Sequence, residues 1–232
     1  MSEKEKILTP RVLFMLIVFI VLIPFLPILI PWRWDWWEAW IYTLGNILGF
    51  AISRYLAWRK NPDLLAERSQ FLQHENPERF DQILAPLLSL AGGLIPITAG
   101  LDARFGSLVQ FGLGLKVTAI IIFLVGMVLA SYALIENRFF SGMVRMQEDR
   151  DQHVINTGPY RWIRHPGYSG ALLTYIATPF LLGSLWTFIP VGLTFIVLFI
   201  RTGLEDKTLQ VKLPGYKAYT KEVRYRLIPG IW

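Results

Sequence analysis

The 232-residue chain has no cysteine and only three histidines, His74, His153 and His165. The first absence excludes disulfide scaffolds, cysteine–zinc sites, iron–sulfur clusters and thiol nucleophiles. The second leaves too few scattered imidazoles for a metal centre. Charge is also scarce. Only 17% of residues are Asp, Glu, Lys or Arg, against about 25% in soluble domains. What fills the chain instead is 53% hydrophobic and 14% aromatic residues, which excludes disorder and points towards lipid. The net charge of +6 then reads as contact with a membrane surface and gives no reason to expect nucleic acid.

Four uncharged runs, Val12–Trp32, Ala39–Ser53, Gln82–Leu101 and Val117–Ile135, fall in the first part of the chain. Three approach the roughly 20 residues that a helix needs to cross about 30 Å of hydrocarbon. Ala39–Ser53 is shorter, but Arg54 can snorkel and Trp36, Trp37 and Trp40 suit an interface. The first run is not a cleaved signal, because tryptophans follow where small residues would be needed. Pro24, Pro27 and Pro31 predict a kinked helix there. The last run, Pro166–Ile200, would make one helix of about 52 Å, too long for a bilayer core. Gly183, Ser184 and Pro190 punctuate it, which predicts a hairpin of two helices over about 168–183 and 186–204.

With the N-terminus inside, the outer loops hold only Arg33, Arg104 and Lys116 of the 23 Lys and Arg. That positive-inside asymmetry puts both termini in the cytoplasm. The expected architecture is therefore an all-α integral membrane protein. Four transmembrane helices (1–136) precede a C-terminal hairpin and cytoplasmic cofactor-binding segments (137–232), all in one membrane domain. In a bacterium it would sit in the inner membrane.

Few polar residues lie within the spans, which counts against a transport pathway. Phe111-Gly112-Leu113-Gly114 has neither a third glycine nor a preceding strand, and no P-loop, Gly-x-Ser-x-Gly or His-Glu-x-x-His motif is present. Polar residues gather in two stretches, Asn137–Tyr168 and Arg201–Trp232, that the hairpin must bring together at the membrane surface.

These stretches carry GPYRWIRHPGYSG, then Arg201-x-x-x-Glu205 after the hairpin, then GYKAYTKEVRYRLIPGIW. In that order they resemble the isoprenylcysteine carboxyl methyltransferase family over about 137–232, and VRMQEDRDQHVINTGPY is similar to its bacterial members. Phospholipid N-methyltransferases and, more distantly, membrane sterol reductases share the C-terminal architecture. The resemblance implies a membrane enzyme that uses S-adenosyl-L-methionine and methylates a lipid or prenylated acceptor. By motif position, cofactor contacts carry over to Gln147, His153, Val154, Ile155, Tyr160, His165, Pro166, Gly167, Tyr168 and Glu205, and acceptor positioning to Arg201. Asp206 stands where many members have a second glutamate. A prenylcysteine-type carboxylate is the expected acceptor. The alternatives are a phospholipid headgroup amine, or a membrane protein without catalysis.

Several residues also have plainer readings. Arg201 and Glu205 lie four apart and could form a helix-end ion pair worth about 0.3–0.5 kcal/mol. The tyrosines could be interfacial aromatics. The basic residues from Lys212 to Arg226 are expected to contact anionic headgroups, and the ending Tyr225–Trp232 is expected either over the cofactor or on the interface.

Overall fold

The computed structural model describes Phe14, residues 17–69 and residues 77–232; the start of the first apolar run, the N-terminal tail and His74 lie outside the described residues. Among the described residues every element is helical. A π-helical stretch, Val18–Leu22, runs directly into α1 (Ile23–Leu29). Then come α2 (Trp37–Lys60), α3 (Pro62–Ser69), α4 (Asp81–Arg104), α5 (Leu113–Glu136), α6 (Pro166–Leu182), α7 (Phe188–Lys212) and α8 (Tyr216–Glu222). Three of these, α4, α5 and α7, are long and apolar enough to cross a membrane. Helix α2 matches them in length but carries Asn46, Ser53, Arg54, Arg59 and Lys60, which lower its hydropathy. Ile83, Leu90, Ile121, Val128 and Ile196 are all exposed, as expected of helices whose outer faces meet lipid rather than water. The chain is an integral membrane protein.

Two helices, α6 and α7, form where the sequence predicts a hairpin, but α7 continues to Lys212, past its expected end near 204. Gly183 caps α6 in the left-handed conformation (φ 67°) that glycine adopts without strain. Pro190 is not a break: it sits in the first turn of α7, where its missing N–H costs nothing. The two arms of the hairpin contact each other sparsely. Helix α6 packs chiefly on α5, and α7 on α4.

Small residues make the α5–α6 contact possible. Gly126, Ala130 and Ala133 on α5 face Gly170, Thr174 and Gly167 on α6, so the two backbones approach closely. In lipid such dispersion contacts replace the hydrophobic effect as the source of helix association. A central core of Ile28, Trp36, Tyr42, Phe123, Leu181 and neighbouring alanines joins α1, α2, α4, α5 and α6. Buried polar pairs close the end opposite the C-terminus: Lys116 donates to Glu38, and Ser184 donates to Asp102 at 2.7 Å.

The C-terminal ending does not fold over the cavity between the two polar stretches. Leu227 is fully buried in the angle between the hairpin arms, against Leu172 and Leu198. The Trp232 ring packs on Phe199 with centroids 5.2 Å apart. The ending therefore wedges the hairpin and does not line the cavity described below.

Candidate functional site

The C-terminal ends of α5 and α7 and the N-terminal ends of α4 and α6 meet at one level, and the two polar stretches pack there. Arg164 N–H donates to the Tyr225 carbonyl (2.9 Å) and His165 N–H to the Arg226 carbonyl (3.0 Å), joining the stretches backbone to backbone. Tyr219 Oη adds a bond to the Tyr160 carbonyl at 2.6 Å, and Ser169 Oγ another to the Leu227 carbonyl at 2.6 Å.

Asp206 is the centre of this joint. Its fully buried carboxylate accepts from Arg164 Nε (2.8 Å) and Nη2 (3.1 Å), Arg226 Nε (2.9 Å), Gln210 Nε2 (2.8 Å) and Tyr216 Oη (3.0 Å). Burying one carboxylate is costly, but two guanidinium groups and two neutral donors satisfy it. The Arg164 fork is spent here as well, since Nη1 donates to the carbonyls of Val223 and Arg224.

Between the stretches lies an open-mouthed cavity with about 830 Å³ of empty space, counting its mouth. Gln147, His153, Val154, Ile155, Tyr160, His165, Gly167, Tyr168, Arg201 and Glu205 all line it. Pro166 does not; it is buried at the first position of α6 and starts that helix. Gln147 lines the cavity with its amide already engaged: Nε2 donates to the Phe139 carbonyl (2.8 Å) and Oε1 accepts from Arg150 (2.5 Å). It staples the loop, and its side chain has little left for a ligand.

The plainer reading of Arg201 and Glu205 as a helix-end ion pair does not hold, because no such pair forms. Arg201 turns away from its own helix to Asp81 at the head of α4. Nε donates to Asp81 Oδ1 (2.6 Å) and Nη2 to Oδ2 (2.9 Å). Nη2 also reaches the Gly142 carbonyl (3.0 Å), and Nη1 the Tyr168 hydroxyl (2.8 Å). Tyr168 passes the chain of bonds on, its Oη donating to Glu205 at 2.6 Å. A helix-end pair in water would be worth little, whereas the carboxylate of Asp81 has no exposed surface and must be paired.

Three features fit the cofactor that the sequence implies. Glu205 accepts only from Tyr168 among the described residues, so it keeps lone pairs for a cation such as an α-ammonium group. His165 Nε2 is buried without a hydrogen bond; Asp206 Oδ1 is 3.5 Å away, outside bonding geometry. The backbone N–H groups from His153 to Ile155 make no bond to any described residue, which leaves an extended edge along the cavity wall. Aromatic faces adjoin these groups. His165 and Tyr168 lie parallel with centroids 5.8 Å apart, and Phe139 meets His153 edge-on at 5.0 Å. Burial raises the Tyr160, Tyr216 and Tyr219 hydroxyls above the ordinary tyrosine value, so all three stay neutral donors.

Helix α3 braces the loop that carries Gln147 and His153. Glu67 takes Arg145 in a fork (2.9 and 2.8 Å), Asp63 takes Arg150 (2.5 Å) and Arg138 (3.2 Å), and Arg68 donates to the Phe140 carbonyl (3.0 Å). Two residues of the basic tail are likewise not free for headgroups. Lys212 pairs with Glu78 and Arg226 with Asp206, which leaves Lys217, Lys221 and Arg224 for that role.

Sequence reasoning did not identify Asp81, Arg164 or Asp206 as the buried frame of the site. The one available signal was position, since Asp81 and Arg201 both end apolar runs on the side expected to be cytoplasmic. No curated protein matches the chain. Residues 118–211, less than half the chain, match the sequence model of the isoprenylcysteine carboxyl methyltransferase (ICMT) family, a stretch that begins within α5 and ends within the last turn of α7.

Proposed function

We propose that the protein is an S-adenosylmethionine-dependent methyltransferase acting on a lipid-borne acceptor at the cytoplasmic membrane surface, with a prenylcysteine-type carboxylate as that acceptor. The observation that carries this reading is that the residues implied by the family motifs, Pro166 aside, line a single cavity. In the same reading the first four apolar runs span the bilayer, the hairpin enters and returns, and both termini are cytoplasmic.

S-adenosylmethionine, when bound, supplies an electrophilic methyl group on a sulfonium. Glu205 would hold its cationic end, the His153–Ile155 edge would offer backbone donors, and His165 and Tyr168 would give flat surfaces for a base. Nothing need remove a proton from the acceptor, because a carboxylate with a pKa near 4 is already ionised at pH 7. The chain's task is to desolvate that oxygen and align it. Tyr168 is suited to help, since its hydroxyl links Arg201 to Glu205 and so joins the acceptor side to the cofactor side.

One observation favours a second reading, methylation of a phospholipid headgroup amine. The Arg201 fork is filled by Asp81, so a bidentate grip on an acceptor carboxylate is not available. The acceptors separate by pH. Carboxylate transfer should be flat above about pH 5, whereas amine transfer should rise as the amine loses its proton. The test is mass spectrometry of lipids and prenylcysteine analogues after incubation with isotopically labelled cofactor, repeated across pH. Label in neither class would refute the enzyme reading.

A further inference from the structure

Asp81 is a fully engaged carboxylate beside the cavity, and it lies outside the 118–211 stretch that matches the family. Its side chain has no exposed surface. Oδ1 accepts from Arg201 Nε, while Oδ2 accepts from Arg201 Nη2 and from the Val144 backbone N–H at 2.6 Å. It therefore grips the acceptor-side arginine and the loop leading to Gln147 and His153 at once.

The donors of Arg201 can be accounted for one by one. A guanidinium has five N–H groups. Nε and one Nη2 hydrogen go to Asp81, the other Nη2 hydrogen to Gly142, and one Nη1 hydrogen to Tyr168. Among the described residues a single Nη1 hydrogen is left on this cavity-lining side chain.

From this inventory we infer that Asp81 is a positioning residue for methyl transfer: by filling the fork of Arg201 it makes that arginine hold the acceptor carboxylate through one N–H, leaving the second carboxylate oxygen free to attack. The inference rests on the proposed function. Its chemistry is that of an oxygen nucleophile. A lone pair of the free oxygen forms the O–CH₃ bond while the C–S bond breaks, its electron pair passes to sulfur, and no proton is released. A fork open to substrate would take both oxygens in parallel hydrogen bonds. It would bind the acceptor more tightly while drawing charge from the attacking oxygen, which stabilises the ground state and slows the step. Asp81 prevents that grip by supplying an internal carboxylate in its place. Its bond to Val144 N–H sets the arginine and the loop from one point, so acceptor geometry and the cofactor wall share a common anchor.

The test is Asp81→Asn in the full-length protein, with N-acetyl-S-farnesylcysteine and its methyl ester as probes. An asparagine keeps the shape but turns an NH₂ towards the arginine and releases the fork. Calorimetry without cofactor should show the free-acid probe binding about 5- to 10-fold more tightly, as a second charge-assisted bond allows. Binding of the methyl ester should be unchanged, because it has no carboxylate. The kcat should fall about 10-fold or more, with S-adenosylmethionine affinity within a factor of about three. If Asp81→Asn does not survive purification, Asp81→Glu, which keeps the charge but shifts it by one methylene, should show the kcat loss at unchanged cofactor affinity. Unaltered probe affinity and kcat, or probe and cofactor affinity falling together, would overturn the inference and leave Asp81 a structural ion pair. Wild-type protein that binds no cofactor would refute the methyltransferase reading itself, an outcome distinct from an active wild type with an unaltered Asp81→Asn.

Discussion

Gly126 and Gly170 meet backbone to backbone. A β-carbon on Gly170 would stand 2.5 Å from the Gly126 carbonyl oxygen and from the Ala130 nitrogen, and one on Gly126 would stand 2.6 Å from the Gly170 carbonyl. The obstacles are main-chain atoms of helices that cannot yield locally. Gly170→Ala should therefore destabilise the protein by about 1–3 kcal/mol, read as a lower Tm in detergent. Gly192→Ala, where nothing lies within 4 Å, is the control and should hold or raise the Tm.

Glu205 has one donor and open lone pairs in the cavity. Glu205→Ala should weaken S-adenosylmethionine binding by on the order of 2 kcal/mol, about 30-fold, in titration calorimetry. Unchanged affinity would reduce Glu205 to a hydrogen-bond partner of Tyr168.

Asp206 holds two arginines with its carboxylate wholly buried. Removing that charge leaves Arg164 buried without a counter-ion, which should cost about 3–5 kcal/mol. Asp206→Asn should lower the Tm sharply and expose the 213–232 segment to limited proteolysis before the rest of the chain opens.

Arg201→Lys keeps a positive charge but cannot reach Asp81, Gly142 and Tyr168 together. Transfer should drop roughly 10²-fold through misplacement of the acceptor. Cofactor affinity should stay near wild type, because Glu205 and the 153–155 edge are untouched. Near-normal turnover would remove the carboxylate acceptor and favour the amine.

The element pattern was legible because lipid imposes a simple rule on sequence: long uncharged runs, punctuated by Gly183 and bounded by charge, predict α4, α5 and the α6–α7 hairpin closely. The cavity wall was legible because its residues sit in contiguous motifs. The frame holding those residues was not. Asp81 lies 120 positions from Arg201, and only packing of α4 on α7 brings them together. On the sequence, a pair with Glu205 was the plainer reading of Arg201 because the two share a helix face. The fold chose Asp81 because a carboxylate with no access to water must have a cation, whereas Glu205 faces an open cavity. The fate of the C-terminal ending was hidden likewise, since Leu227 finds its place only once α6 and α7 have splayed apart.

The hairpin arms belong to different neighbourhoods, α6 with α5 and α7 with α4. The cavity consequently straddles a seam between two helix pairs, and Tyr168 is a stitch across it. Rooted on α6, its hydroxyl reaches both Arg201 and Glu205 on α7. A sideways slip of one pair against the other would be felt first at that single oxygen, which must lose both of its bonds together. If the proposed transfer takes place in this cavity, bilayer thickness and lateral pressure, which act on helix pairs rather than on single side chains, would have a mechanical lever on it.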